Sequence, residues 1–378
     1  MLFAVVGIEA LALPHILSEE GYVEFEFIKS TTFLFQFLLL GSCSGYLTIS
    51  TSRGNDNQKS MNFFMLSSLY IIFIATLLSL FYGYYWSLVS LIAMIALVIE
   101  TQFKSEEKYF FAMAFKPMVS LISIFAVISL SEWEEDDIFM LAILISIVIY
   151  IFVFFIKGKL FSELGKLQLD FKAFIEFFVR GLPINSSALL LYAIFYLDRT
   201  FIIENYEASA ASYSLAFSIS QMVFIAINMF SYVNVVDFGK CIRLHPERLP
   251  QLLMDKLRSC LLFYGLISCI SLIVIGVFIE DFYGFNDLFE FSLVIIVIGG
   301  LVNVLISVGS LHTYLKTQRY NVTALALVML CSYLLNQLLF LNDDFSSLHI
   351  LLKSYILLLL YSVFSVSIVI YKSVRCDL

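Results

Sequence analysis

Apolar residues occur along this chain in long runs that are separated by short polar segments. A run of about twenty apolar residues is long enough to cross the hydrocarbon core of a bilayer as an α-helix. By this criterion the sequence predicts twelve membrane-spanning helices. The predicted ranges are 1–17, 30–50, 61–82, 84–103, 110–131, 137–157, 180–203, 209–236, 254–279, 287–312, 319–341 and 347–372.

The third and fourth predicted helices form one nearly uncharged stretch that is too long for a single crossing. It spans about 39 residues, so a continuous helix would be roughly 58 Å long at 1.5 Å per residue. The hydrocarbon core is only about 30 Å thick. The stretch is therefore predicted to be a hairpin that turns near Gly83, and the aromatic residues of "FYGYYW" favour the membrane surface for that turn.

The composition agrees with a membrane protein. Hydrophobic residues make up 61% of the 378 residues and charged residues 14%, with a mean hydropathy of +0.95. Soluble domains contain about one quarter charged residues. Basic surfaces typical of nucleic-acid binding, zinc-binding HExxH motifs and phosphate-binding glycine loops are all missing from the sequence. We therefore expect an all-α integral membrane protein that is not an enzyme and has no metal, cofactor or nucleic-acid partner.

Lysine and arginine lie mainly on one side of the predicted helices. Nineteen of the 22 basic residues fall in one set of loops and the C-terminal tail, and the other set holds only Lys29, Arg199 and Lys353. Basic residues concentrate in cytoplasmic loops. Both termini are therefore predicted to be cytoplasmic, and acidic outer segments such as "SEEGYVEFE" are expected to be solvated.

The longest stretch between two predicted helices divides the twelve into two halves. Within residues 158–179, apolar side chains recur every three or four residues, as in an amphipathic helix that lies on the membrane surface. The predicted organisation is a six-helix bundle at 1–157, a cytoplasmic linker at 158–179 and a second six-helix bundle at 180–378. Two related bundles around a central site are a common transporter design.

The first helix is shorter than its counterpart in the second half. An alignment of Tyr22 with Tyr213 leaves helix 1 without equivalents of Arg180, Gly181 and Pro183. We therefore expect either a truncated first helix or a true start upstream of Met1.

One segment of about forty residues resembles a known family. The sequence "GLPINSSALLLYAIFYLDRTFIIENYEASAASYSLAFSIS" is similar to the seventh-to-eighth helix segment of Wzx-type O-antigen and polysaccharide flippases, of the multidrug/oligosaccharidyl-lipid/polysaccharide exporter superfamily. The matching positions are Gly181, Pro183, Asp198, Arg199, Tyr213, Ser214, Leu215 and Ala216. The short first helix and the "ENYEAS" turn depart from the family pattern.

This resemblance implies a flippase that moves an undecaprenyl-pyrophosphate-linked oligosaccharide across the bacterial cytoplasmic membrane by alternating access. Membrane lipids and other polysaccharide assembly proteins would be its partners, and a gradient of Na⁺ or H⁺ could drive it. Arg199, Lys29 and Lys353 would meet pyrophosphate or acidic sugars in a central cavity. The alternative for these cations, and for Asp198, is that they anchor helices at the outer interface.

Two further polar positions are candidates. Glu9 lies at about the depth of Asp198 and Arg199 under the repeat alignment, which leads to the hypothesis that Glu9 and Arg199 pair in one conformation. A role of Glu9 in ion coupling is the alternative. Asn185 follows Pro183, where backbone groups are freed, and is a substrate-contact candidate. Adjacent helical residues point about 100° apart, so Asp198 and Arg199 should each find a different partner.

Two other functions remain open. A multidrug cation antiporter has the same architecture and would favour carboxylates over basic residues in its cavity. An O-antigen polymerase has a similar hydropathy pattern, but its family usually has a large outer loop with catalytic arginines, and the predicted outer loops here are short.

Overall fold

The computed structural model describes residues 11–54, 57–108, 111–112, 144–145, 147–149, 170–283, 287–309, 326–331, 333–334 and 347–374. Every regular element in these ranges is helical. Within them, six stretches are long and apolar enough to cross a membrane: Gln58–Tyr82, Trp86–Ser105, Phe171–Asn205, Pro246–Ile279, Leu288–Ile306 and Ser347–Ile368. The prediction of an all-α multi-pass membrane protein is confirmed.

Ten longer helices follow one another along the described parts of the chain. They are α1 (Glu19–Phe35), α2 (Ser42–Arg53), α3 (Asn57–Tyr82), α4 (Tyr84–Ser105), α5 (Phe171–Asn205), α6 (Glu207–Leu244), α7 (Leu249–Val274), α8 (Leu288–Val294), α9 (Gly300–Gly309) and α10 (Ser347–Val374). Short 3₁₀ turns occupy Gln36–Leu39 and Pro246–Arg248. A π-helical turn at Ile275–Ile279 joins α7 to a last turn at Glu280–Tyr283, and another at Ile295–Gly299 joins α8 to α9.

The predicted hairpin at Gly83 is confirmed. Helix α3 ends at Tyr82 and α4 begins at Tyr84, with Gly83 at a φ of 89° between them. Only glycine adopts this backbone conformation without a steric penalty. Tyr82 and Tyr84 are strongly exposed beside the turn, as expected for aromatic residues at a membrane surface.

The second predicted helix, 30–50, is wrong as a single element. The chain instead forms α1 up to Phe35 and α2 from Ser42, with left-handed backbone at Leu40 and Gly41 between them. Hydropathy could not reveal this break because the residues on both sides of it are apolar. Helix α1 also begins at Glu19, inside the segment that was expected to be a solvated outer loop.

The connection between the predicted helices 209–236 and 254–279 is also shorter than expected. Helix α6 continues to Leu244 and α7 begins at Leu249, which leaves His245 and one 3₁₀ turn as the connection. Asp237 of α6 and Lys256 of α7 form a salt bridge of 2.5 Å between Oδ2 and Nζ. This ion pair and Pro246, which cannot continue an α-helix with a full set of hydrogen bonds, explain the tight turn.

Helix α5 begins at Phe171, before its predicted start at 180. Asp170 caps it, since its Oδ1 accepts a hydrogen bond of 3.0 Å from the Ala173 N–H. Asn62 of α3 fixes this cap. Its Nδ2 donates to the Asp170 carbonyl at 2.8 Å, and the Asp170 N–H donates to its Oδ1 at 2.9 Å. The end of the predicted surface linker is therefore the first part of α5.

The chain divides into two compact units. One comprises Met1–Ile16 and Ile28–Ser186, and the other comprises Leu17–Phe27 and Ser187–Leu378. The predicted boundary segment 158–179 lies outside the described residues up to position 169. The division into bundles at 1–157 and 180–378, the cytoplasmic position of the termini and the upstream start thus stay predictions.

Glycine permits a very close approach of α2 and α5 in the first unit. A Cβ atom on Gly181 would overlap the backbone of Gly41, and one on Gly45 would overlap the carbonyl group of Phe177. Beside this contact, Tyr46 stacks on Phe63 with ring centroids 4.1 Å apart. Backbone packing therefore explains Gly181, which the sequence resemblance singled out.

We expect the variants Gly181→Ala and Gly45→Ala each to lower the free energy of unfolding by about 1–3 kcal/mol, because the added methyl group overpacks two adjoining backbones. Denaturant unfolding in detergent micelles measures the change. Gly265→Ala in α7 is the matched control, since a Cβ there meets no atom within 4 Å. It should be neutral or slightly stabilising. Equal stability of all three variants would contradict the packing role.

Candidate functional site

The two charged residues near the end of α5 are buried within the second unit. Asp198 is 1% exposed and Arg199 is 2% exposed. A side chain that anchors a helix at the membrane surface extends its charged group into water. The burial of both side chains in protein therefore argues against the anchor interpretation for this pair.

Asp198 is held through one of its two carboxylate oxygens. Oδ1 accepts a hydrogen bond of 2.9 Å from the hydroxyl of Tyr333 and one of 2.8 Å from the hydroxyl of Ser354 in α10. Oδ2 is buried and accepts no hydrogen bond from the residues that the structure describes. Asp198 thus has one fixed oxygen and one that is available to a proton or a cation.

Arg199 has different surroundings. Its Nη2 lies 3.6 Å from Oε2 of Glu26 in α1, and both side chains are 2% exposed. The guanidinium carbon also lies 5.3 Å from the ring centroid of Phe217 in α6, which is within cation–π range. A carboxylate and an aromatic face together offset the cost of burying this charge. The prediction that Asp198 and Arg199 find separate partners is confirmed.

The "YSLA" motif of α6 is buried in the same unit. Tyr213 is 1% exposed, and Ser214, Leu215 and Ala216 are completely buried. Tyr213 packs at 5.9 Å, edge to face, on Phe291 of α8. The motif directly precedes Phe217, and the Tyr213 ring lies 6.3 Å from the Phe217 ring that contacts Arg199.

Asp198, Arg199 and Glu26 form a buried charged cluster. Glu26 is the member of this cluster that the sequence interpretation missed. It belongs to a segment that was expected to be solvated, and it is only 1% exposed. The signal that could have identified it is its spacing. Tyr22, Phe25 and Glu26 recur at helical intervals of three and four, and all three are buried on one face of α1.

The other predicted site residues have varied positions. Asn185 donates from Nδ2 to the Phe37 carbonyl at 3.0 Å, so it joins α5 to the 3₁₀ turn after α1. Lys353 is half-buried in α10, directly before Ser354. Lys29 lies in α1, with its side chain outside the described atoms. Glu9 lies outside the described residues, so its pairing with Arg199 stays a prediction; among the described residues, Glu26 lies within ion-pair distance of Arg199.

The cluster contains more acidic than basic groups. One guanidinium faces Glu26, and the second carboxylate, Asp198, is held only by hydroxyl groups among the described residues. When all three groups are ionised, the cluster carries one net negative charge. Such a site can accept a proton or a cation more easily than an anion.

Comparisons with known proteins show the fold. No family model and no curated protein matches the sequence. An outward-facing multidrug resistance MATE family transporter of the MOP superfamily matches with a TM-score of 0.69 at 14% identity, over 99% of this chain and 92% of that one. An inward-facing transporter of the same description gives 0.62 at 12% identity, over 99% and 95%.

A MATE structure in the bent conformation gives a TM-score of 0.68 at 15% identity, over 100% of this chain and 92% of that one. These proteins are transporters and not enzymes. The chain therefore has the fold of MATE transporters.

We expect Glu26→Gln to lower the free energy of unfolding by about 3 kcal/mol, because it removes the negative charge of Glu26 from beside the buried Arg199 guanidinium. The double variant Glu26→Gln/Arg199→Met should lose less than the sum of the two single variants. Thermal unfolding in detergent measures both effects.

The exposed Glu24 on the same helix provides the control, since Glu24→Gln should be neutral. Strictly additive losses at Glu26 and Arg199 would refute their pairing. The same comparison of single and double variants, made with Glu9→Gln and Arg199→Met, tests the competing pairing of Glu9 with Arg199.

Proposed function

We propose that this chain is a secondary-active exporter that works by alternating access and that organic cations are its substrates. The observation that carries the proposal is the buried cluster of Asp198, Arg199 and Glu26, with two carboxylates and one guanidinium. The fold supports it, because both outward-facing and inward-facing structures of multidrug resistance MATE transporters match the chain.

The charge distribution decides between substrate classes. A route for pyrophosphate needs cations that are available to the substrate. Arg199, the only basic residue of the cluster among the described residues, already faces Glu26 and the Phe217 ring. The surplus charge is negative, which favours a cationic substrate.

Asp198 is the residue that we assign to ion coupling. Tyr333 and Ser354 fix the carboxylate through Oδ1, and the buried Oδ2 is available for H⁺ or Na⁺. Binding of a cation neutralises the carboxylate, and its release restores the charge. Such a change alters the stability of a buried cluster enough to bias two conformations.

A second candidate is the translocation of an undecaprenyl-pyrophosphate-linked oligosaccharide across the bacterial cytoplasmic membrane. The observation in its favour is the resemblance of the segment 181–220 to Wzx-type flippases. In this case Lys29 and Lys353 would join Arg199 in contacting the pyrophosphate, and polysaccharide assembly proteins would be partners. An O-antigen polymerase is disfavoured, because the fold is that of transporters.

We expect cells without their own multidrug exporters to extrude a fluorescent organic cation when they express this chain. Asp198→Asn should lower the rate at least about tenfold at equal membrane abundance, because the amide cannot cycle between charged and neutral forms. Dye efflux is measured with an imposed gradient of H⁺ or Na⁺, and the wild-type rate should follow one of the two.

Glu204→Gln, a change of an exposed carboxylate on the same helix, is the control and should retain the wild-type rate. Efflux by wild type that neither gradient affects would remove the coupling role of Asp198. Absence of dye efflux by well-inserted wild type would remove the cation substrate.

The flippase candidate is tested in a bacterium that lacks its own polysaccharide flippase and makes a confirmed lipid-linked glycan. Under the cation proposal, neither wild type nor Arg199→Ala restores surface glycan. Restoration by wild type, with loss in Arg199→Ala at equal membrane abundance, would replace the cation proposal by oligosaccharide translocation. Surface glycan is measured by staining intact cells.

A further inference from the structure

A cavity outside the buried cluster lies where α6 turns into α7. Its volume is about 500 Å³, and its walls include Lys240, Leu244, His245, Arg248, Gln251 and Asp255. These residues come from the last turns of α6, the 3₁₀ turn and the first turns of α7. The distribution of basic residues along the chain places this turn on the predicted cytoplasmic side.

The residues that line the cavity include more basic than acidic side chains. Among the described lining residues, Lys240 and Arg248 are basic and Asp255 is acidic. The nearby carboxylate of Asp237 is bound by Lys256 at 2.5 Å, and that of Glu247 lies 3.5 Å from Nδ1 of His245. The N-terminal end of α7, which carries partial positive charge, also lies at this cavity.

Beyond the cavity, the same side of α7 carries exposed apolar residues, because Asp255 at the cavity wall and Leu262 are seven residues, or about two helical turns, apart. Helix α7 exposes 68% of Leu262 and 62% of Leu266, and Ile270 and Ile273 continue the row. These residues follow at intervals of four, four and three and thus lie along one side of the helix. A ligand with a charged head and apolar tails fits the cavity and this row together.

We propose that the cavity binds the headgroup phosphate of an anionic phospholipid of the cytoplasmic leaflet, with its acyl chains along the exposed face of α7. Basic pockets at helix ends on the cytoplasmic side recognise anionic lipid headgroups in this way. A soluble anion would use the cations but would leave the adjacent apolar row without a role. The residues that line this cavity do not include Asp198 or Arg199. The bound lipid would therefore be distinct from the exported substrate.

The test uses the full-length protein in detergent and native mass spectrometry with phosphatidylglycerol or phosphatidylcholine. Phosphatidylglycerol should bind more tightly. The double variant Lys240→Gln/Arg248→Gln should weaken its binding about tenfold or more, because each basic residue near a phosphate contributes to the attraction. Arg243→Gln removes one positive charge, as each of the two changes in the double variant does, from an exposed residue of the same helix end that does not line the cavity. It should change binding less than about twofold.

Equal binding of the two lipids, or equal weakening by the Arg243→Gln control, would overturn the proposal. So would binding of inorganic phosphate that is as tight as that of phosphatidylglycerol, since it would point to a soluble anion. If the double variant does not stay folded, Arg248→Gln is compared with Arg248→Lys. The lysine variant should retain binding and the glutamine variant should lose it, and an equal loss in both would contradict a phosphate site.

Discussion

A charge inside a membrane protein needs a compensating group, and this constraint organises the second unit around two neighbouring residues. Asp198 and Arg199 point in different directions from α5, so one dipeptide requires two separate sets of partners. Asp198 accepts hydrogen bonds from Tyr333 and from Ser354 of α10. Arg199 contacts Glu26 of α1 and Phe217 of α6. Removal of Glu26 would take a counter-charge away from the buried Arg199, and breaking a buried ion pair in this way is strongly destabilising.

The first unit depends on close packing. Helices α2 and α5 meet at glycine positions, where neither backbone leaves space for a Cβ atom. The same helix α5 thus begins with an Asp170 cap fixed by Asn62, continues through the Gly181 contact and carries the charge pair near its C-terminal end. Its length of 35 residues is explained by these successive requirements, because crossing the membrane alone needs about twenty residues.

This packing also limits what the flippase-like segment says about substrate. Gly181 is required by a helix contact, and Tyr213 to Ala216 are buried beside the ring that meets Arg199. Residues with structural roles can be shared by exporters of different substrates. The charge balance of the cluster depends on Glu26, which lies outside that segment, and it favours a cation.

The sequence by itself determined the all-α membrane class, the hairpin at Gly83 and the separate partners of Asp198 and Arg199. Each of these follows from local properties, namely run length against bilayer thickness, glycine conformation and the 100° step of a helix. The tertiary structure alone decided the break at Gly41, the early start of α5 and the identity of the Arg199 partner. Hydropathy treats Glu26 as a loop charge, because it records the polarity of a residue and not the neighbour that compensates it. That neighbour lies 173 positions further along the chain, and only folding brings the two together.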